Sequence, residues 1–196
     1  RQVAQWQALP APVRERLLWK AQGVYLITGG AGGLGLIFAR DIAMQVRNPV
    51  LVLTGRTPLN ERIQARIREL EALGAVVRYH AVDVADAAGL TQLVQSIPEE
   101  FESLDGIIHS AGVVRDSFLI RKTPAQLREV LSAKVAGCLH LDQASRDIAL
   151  DCFIVFSSIA GALGNVGQAD YAAANAFMDA FAHRRNAQVA QGSRHG

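Results

Sequence analysis

Residues 25–35 read YLITGGAGGLG, and this stretch decides the fold. Gly23 to Thr28 form a short apolar strand. Five glycines follow (Gly29, Gly30, Gly32, Gly33 and Gly35), interrupted only by Ala31 and Leu34. A helix comes next, with Ile37, Ala39, Ile42 and Val46 among its apolar positions. An unbroken apolar strand suits a parallel sheet covered on both faces. Glycines in the strand-to-helix turn allow a tight bend and let an anionic group lie against the backbone, where the helix N-terminus offers free N–H groups and a positive dipole. Thr28, Gly29, Gly30, Gly32, Gly33, Leu34 and Gly35 are therefore candidates to hold a dinucleotide pyrophosphate. A plain glycine-rich turn is the alternative, and the position directly after a buried first strand argues against it.

The same alternation continues downstream. PVLVLTGR (49–56) is a second buried strand, and LNERIQARIRELEALG (59–74) an amphipathic helix with Ile63, Ile67, Leu70 and Leu73 on one face and Gly74 as its stop. AVVRYHAVDV (75–84) is a third strand. Leu90, Leu93, Val94 and Ile97 mark a helix before the fourth strand, LDGIIHSAG (104–112). Thr123, Pro124 and Gln126 spell a helix start with a capping box, and that helix is predicted to run to about Ile148. CFIVFSS (152–158) is the fifth strand. Small residues then lead into a helix carrying Tyr171. Short apolar strands alternating with longer helices predict an α/β fold, a doubly wound parallel sheet with helices on both faces.

The 196 residues amount to about one domain. A net charge of +2 is too small to argue for nucleic acid or a membrane surface. No apolar run is long enough to span a bilayer, and no secretory signal is visible. Cys138 and Cys152 sit in apolar segments without metal-ligand spacing, so no metal site is expected. Buried free thiols in a reducing cytoplasm are the natural reading. Residues 1–20, with two prolines and mixed charge, read as a connecting segment from an upstream region. Residues 21–196 read as one unit. The sequence stops at QGSRHG, where another strand is expected, so the C-terminal part of the unit is expected to be missing.

The strand ends carry further candidates, because parallel sheets bind ligands at their carboxyl edge. Arg56 stands where an acidic residue would bond ribose hydroxyls. Arginine suits a 2′-phosphate instead and favours NADPH, although a solvated surface arginine is an equal contender among so many arginines. Asp83 and Val84 are placed to meet an adenine. Ser110, Ala111 and Gly112 leave room beside a nicotinamide. Tyr171 has the setting of a proton donor, but the residue four places on, where a supporting lysine would lie on the same helix face, is Asn175. The chain has only three lysines. Lys20 lies outside the sheet region, and Lys122, beside Arg121, reads as exposed. Lys134 falls within the apolar stripe of Leu127, Val130, Leu131, Val135, Cys138 and Leu141. An inward lysine is costly unless it enters a polar site; the alternative is an ammonium that snorkels to water.

These motifs resemble the short-chain dehydrogenase/reductase superfamily, and within it the ketoreductase domains of modular polyketide synthases. YLITGGAGGLG, VLTGR, HSAGVVRDSF (109–118), VFSSIAGALGNVGQADYAAANAFMDAFAHRR (155–185) and Lys134 match in order, across residues 21–190. In the wider superfamily the lysine follows the tyrosine by four residues. In the synthase ketoreductases an asparagine takes that place and the lysine comes from the preceding helix, as with Asn175 and Lys134. The interval to Tyr171 selects Ser158 over Ser157. The resemblance implies a Rossmann-like fold that binds NADPH and reduces a β-ketoacyl thioester carried on the phosphopantetheine arm of an acyl carrier protein, beside other domains of the same synthase. Tyr171 would be the proton donor, Lys134 its supporting cation and a holder of the nicotinamide ribose, Ser158 a hydrogen-bond donor to the carbonyl, and Asn175 part of a proton relay.

The family motif that directs the D-hydroxyl is Leu-Asp-Asp. Here Val114-Arg115-Asp116 aligns, and only Asp116 remains to guide the substrate arm. The L-directing tryptophan is replaced by Leu163, and Ala173 stands where proline would mark an epimerising type. A D product is therefore expected. A reductase of fatty-acid synthesis fits less well, given the exchange at Asn175 and the upstream segment. A non-catalytic scaffold fits less well because the glycine turn and Tyr171 are intact.

Overall fold

The computed structural model describes residues 18–196, so most of the expected connecting segment lies outside the described residues. Trp19 and Lys20, at its end, are fastened to the sheet. The Trp19 ring meets Tyr25 edge-on at 5.3 Å, and Lys20 Nζ lies 2.7 Å from Asp105 and 2.9 Å from Asp151.

Five strands, β1 (Val24–Thr28), β2 (Val50–Gly55), β3 (Val76–Ala81), β4 (Gly106–His109) and β5 (Cys152–Val155), form one sheet in the order β3-β2-β1-β4-β5. Every pairing is parallel. The strand period of two sends alternate side chains to opposite faces. Tyr25, Ile27, Leu51 and Leu53 pack with Leu36, Ala39 and Ile42 of α1 (Gly33–Gln45) and Leu70 of α2 (Glu61–Ala72). Val24, Leu26 and Val52 pack on the other side with Leu90, Leu93, Val94 and Ile97 of α3 (Ala87–Phe101) and with Leu141. Both faces are thus covered, as a run of apolar strand residues requires. Among the described residues, no helix is long and apolar enough to cross a membrane.

Three sequence expectations need correction. Ile37 and Leu73 are exposed. Ile37 stands two residues, about 200°, around α1 from buried Ala39, and α2 ends at Ala72, so Leu73 serves only as its cap. The helix begun at Thr123 does not reach Ile148. It runs as α4 (Pro124–Leu131), a π turn (Ser132–Ala136) and α5 (Gly137–Ala144), ending where Ser145 Oγ donates back to Leu141 O at 2.8 Å. The predicted capping box is present: Thr123 Oγ1 accepts from Gln126 N at 3.3 Å, and Gln126 Oε1 accepts from Thr123 N at 3.0 Å. A short helix α6 (Ile159–Leu163) interrupts the small-residue loop before α7 (Ala169–Ala190).

Candidate active site

Strand register puts the candidate residues on one edge. Thr28 pairs with Thr54 on one side and His109 on the other, and His109 pairs with Val155. Gly29, Gly55-Arg56, Ser110 and Phe156–Ser158 therefore leave the sheet side by side. β1 is followed in space by β2 on one flank and β4 on the other, so the chain reverses its winding there and opens a crevice.

The glycine turn fits a pyrophosphate. Gly29 has φ +66°, and a Cβ on it would stand 3.1 Å from Ala111 Cα. A Cβ on Gly35 would lie 2.7 Å from both Gly29 O and Ser110 Oγ, closer than real Cβ atoms approach, whereas Gly33 faces open space. The N-terminus of α1 has Gly32 as its cap, no side-chain hydrogen bond and no acidic residue in its first turn. Its N–H groups and positive dipole are left for an anion. Thr28, Ser110 and Ala111 brace this edge: Ser110 Oγ donates to Thr28 O at 2.6 Å, and Ala111 N donates to Thr28 Oγ1 at 3.3 Å. A cleft runs from Gly29 past Arg56, Asp83 and Val84 to Ala111 and Gly112. Exposed Leu34 stands at the outer side of the turn. Glu129, which the sequence did not single out, also lines this cleft. It pairs with Arg115 at 2.8 Å and lies 3.6 Å from Arg56. The Arg115 guanidinium holds its carboxyl below the ordinary range.

Lys134 enters the site from the π turn. Gly137 N reaches back to Ser132 O as well as Lys134 O, the wider spacing of a π turn. Such one-turn bulges re-aim side chains. Lys134 is only 5% exposed. Its Nζ donates to Phe156 O at 2.8 Å and lies 5.5 Å from the centre of the Tyr171 ring. Burial lowers its pKa from the ordinary lysine value. Asn175 Nδ2 donates to Tyr171 O at 2.7 Å, while Oδ1 is buried with no hydrogen-bond partner among the described residues. Ser158 caps α6, accepting from Ala160 N at 3.2 Å, which leaves its hydroxyl hydrogen free to donate. Helices α6 and α7 touch closely: a Cβ on Gly161 would sit 2.8 Å from Ala176 N. Lys134 and Tyr171 thus face each other from separate elements, with Asn175 bonded to Tyr171 one turn on and Ser158 at the start of the helix that packs on α7.

His109 supports the π turn from beneath. Its Nε2 lies 3.3 Å from Lys134 O and its Nδ1 2.7 Å from Thr28 Oγ1. A carbonyl only accepts, so Nε2 carries the hydrogen and Nδ1 accepts from the threonine. Burial pushes the His109 pKa down to about 4. Between about pH 6.5 and 4 the unfolded chain binds a proton here that the folded one refuses, so stability falls as pH drops through that window, by about 3 kcal/mol in all. Urea unfolding from pH 7 to 4.5 should show this loss, and His109→Gln should flatten it. An unchanged slope in the variant would assign the acid sensitivity to other groups.

The loop after β4 corrects another expectation. Lys122 is not exposed: its side chain is 0% accessible and its Nζ lies 2.7 Å from Asp170 Oδ2. No local pattern signals this burial, since the partner lies 48 positions away. Exposed Asp116 is held through both oxygens by Gln168 Nε2 at 3.0 Å. Exposed Leu163 lies at the end of α6. Cys138 and Cys152 are buried free thiols, as expected, their pKa values pushed up by burial to about 12 and about 11.

Comparison with known proteins agrees with this geometry. Residues 23–193 match the KR domain family. Over 178 residues the chain is 52% identical to the polyketide synthase PksN of Bacillus subtilis (strain 168), covering 91% of this chain and 3% of that protein. Polyketide synthase PksL of the same organism is 51% identical, with 91% and 4% covered. A ketoreductase domain from the bacillaene assembly line has a similar structure, with a TM-score of 0.89 at 49% identity over 92% of this chain and 43% of that one. An N-terminal ketoreductase from the macrolactin assembly line gives 0.86 at 41% identity, over 93% and 37%. The chain thus spans a few per cent of the curated relatives and under half of these solved chains. The match covers the glycine turn, the sheet and the helix of Tyr171 alike, and the chain belongs to the KR domain family, the ketoreductase domains of polyketide synthases.

Proposed function

We propose that this chain carries the cofactor-binding and proton-donating part of an NADPH-dependent ketoreductase, within residues 21–196, and that residues 1–20 connect it to an upstream region of a cytoplasmic synthase. The substrate is a β-ketoacyl thioester on the phosphopantetheine arm of an acyl carrier protein, and the product is the D-3-hydroxyacyl thioester. The observation that carries the reading is Lys134, buried and held 5.5 Å from the Tyr171 ring from a different helix.

The glycine turn at 29–35 and the α1 N-terminus hold the pyrophosphate, Arg56 the 2′-phosphate, Asp83 and Val84 the adenine, and Ser110, Ala111 and Gly112 border the nicotinamide. When bound, NADPH supplies the hydride that reduces the carbonyl carbon. Ser158 donates its free hydroxyl hydrogen to the ketone oxygen and orients it. Tyr171, a phenol protonated at neutral pH, gives its proton to that oxygen as negative charge builds there. Lys134 stabilises the phenolate left behind and helps hold the nicotinamide ribose. Asn175 Oδ1, without a partner among the described residues, is available to a donor on the path that reprotonates Tyr171. Asp116 guides the pantetheine arm to one side of the site, and the exposed Leu163 leaves the opposite side without a bulky ring.

Cofactor titration tests the assignment. Arg56→Ala should weaken NADPH about 10–100-fold, the worth of a charged hydrogen-bonded pair, and leave NADH nearly unchanged. Equal losses for both cofactors would make Arg56 a surface charge. In the full polypeptide that carries this sequence, chiral chromatography should find the D product; a predominantly L product would overturn the role of Asp116.

A further inference from the structure

The buried pair of Lys122 and Asp170 lies outside the groups that touch the reaction, yet it reaches both sides of them. The side chains are 0% and 1% accessible and 2.7 Å apart. Lys122 Nζ also donates to the backbone O of Arg115, in the middle of the loop that carries Asp116. On the other side, Asp170 Oδ1 accepts the backbone N–H of Tyr171 at 2.9 Å. One ammonium thus fixes the loop, and its carboxylate partner fixes the residue that carries the phenol. Two more bonds run in parallel between the same segments: Ser117 N donates to Gly167 O at 2.9 Å, and Gln168 Nε2 donates to Asp116.

A buried ion pair is a poor device for stability alone, because two desolvated charges recover in attraction little more than burial costs, and apolar replacements often serve as well. What it does supply is direction. Each hydrogen bond fixes an angle as well as a distance. The segment 113–122 has little apolar packing of its own, with Val114, Phe118, Leu119 and Ile120 all exposed. Its register against α7 therefore depends on these polar links.

We propose that Lys122 and Asp170 are positioning residues. They lock the loop bearing Asp116 to the first turn of α7, and so set which face of the ketone is presented above Tyr171. This rests on the reading of Tyr171 as proton donor and Asp116 as substrate guide. Removing one partner would strand a buried charge and unfold the region for trivial reasons. The informative variant is Lys122→Met with Asp170→Asn, which removes both charges and keeps an oxygen for the Tyr171 N–H.

Two measurements on the full polypeptide decide it. Amide hydrogen exchange, with no substrate present, should rise in 113–122 and 167–171 and stay unchanged in β1, β2 and α1. With a β-ketoacyl pantetheine thioester, kcat/KM should fall roughly 10–100-fold, the usual cost of a misplaced reacting group, and the D:L product ratio should fall with it, while NADPH affinity is kept. Unchanged exchange overturns the clamp, whatever the activity. Raised exchange with wild-type kcat/KM and product ratio also overturns the proposal, and leaves the pair a structural one. A wild-type protein that binds NADPH but reduces no thioester overturns the reading of the site and the catalytic half of this proposal; the exchange result then decides the clamp alone.

Discussion

Tyr171→Phe should lower turnover by about 10²–10⁴-fold, the range typical of a lost general acid, while NADPH binds as before. The substitution removes one oxygen and keeps the ring, which lies 5.5 Å from Lys134 Nζ. The hydrogen bonds that tie Tyr171 to other described residues run through its backbone, to Asp170 and from Asn175. The hydroxyl therefore holds nothing together that the fold would miss. Melting temperature and cofactor affinity should stay at the wild-type level, and the loss should appear in kcat. Turnover within a few-fold of wild type would remove Tyr171 as the proton donor, and Ser158 would be the next candidate.

Lys134→Met should separate activity from stability. Activity should fall by a similar 10²-fold or more, because the charge proposed to stabilise the phenolate is gone. Stability should move the other way. Burial disfavours the charged form of Lys134 in the folded protein, so an ammonium kept there at neutral pH opposes folding, and a methionine of similar length relieves that opposition at the expense of one hydrogen bond to Phe156 O. For a chain of this size each kcal/mol relieved raises the melting temperature by about 2–4 °C. Matched thermal melts and turnover assays check both halves. A variant that loses activity and melting temperature together would make Lys134 a structural member of its helix, with its charge needed for packing rather than chemistry.

Much of the fold was legible because its signals are local. The apolar run before the glycine turn, the stripe of Leu90, Leu93, Val94 and Ile97, and the box at Thr123 and Gln126 each depend on residues within a few positions, and each appears in the structure as read. The convergence of Lys134 with Tyr171 was legible too, since the chain offers so few lysines and this one lies on an inward stripe. What failed was non-local. Lys122 looks like any basic residue between Arg121 and Thr123; only the approach of α7 buries it. Glu129 lies on a helix face that sequence alone would give to solvent, and two arginines from distant segments draw it to the cleft at the strand ends. The early end of the helix at Ala144 turns on a serine that bonds its own backbone.

The π turn at Ser132–Ala136 changes the arithmetic of the helix it interrupts. It amounts to one spare residue slipped into a regular spiral, and each residue turns a helix by about 100°. Val130 before the turn and Cys138 and Leu141 after it are all buried. The same residues wound regularly, without the bulge, would be better hydrogen-bonded, but the half after the turn would be rotated by about 100° against the half before it. With the first half held in place, Cys138 and Leu141 would turn away from their present neighbours, and the aim of Lys134 between the halves would change. Regularity and the present packing are therefore alternatives in this segment. A sequence optimised for helix formation here would be expected to improve the helix and disturb the packing on either side of it.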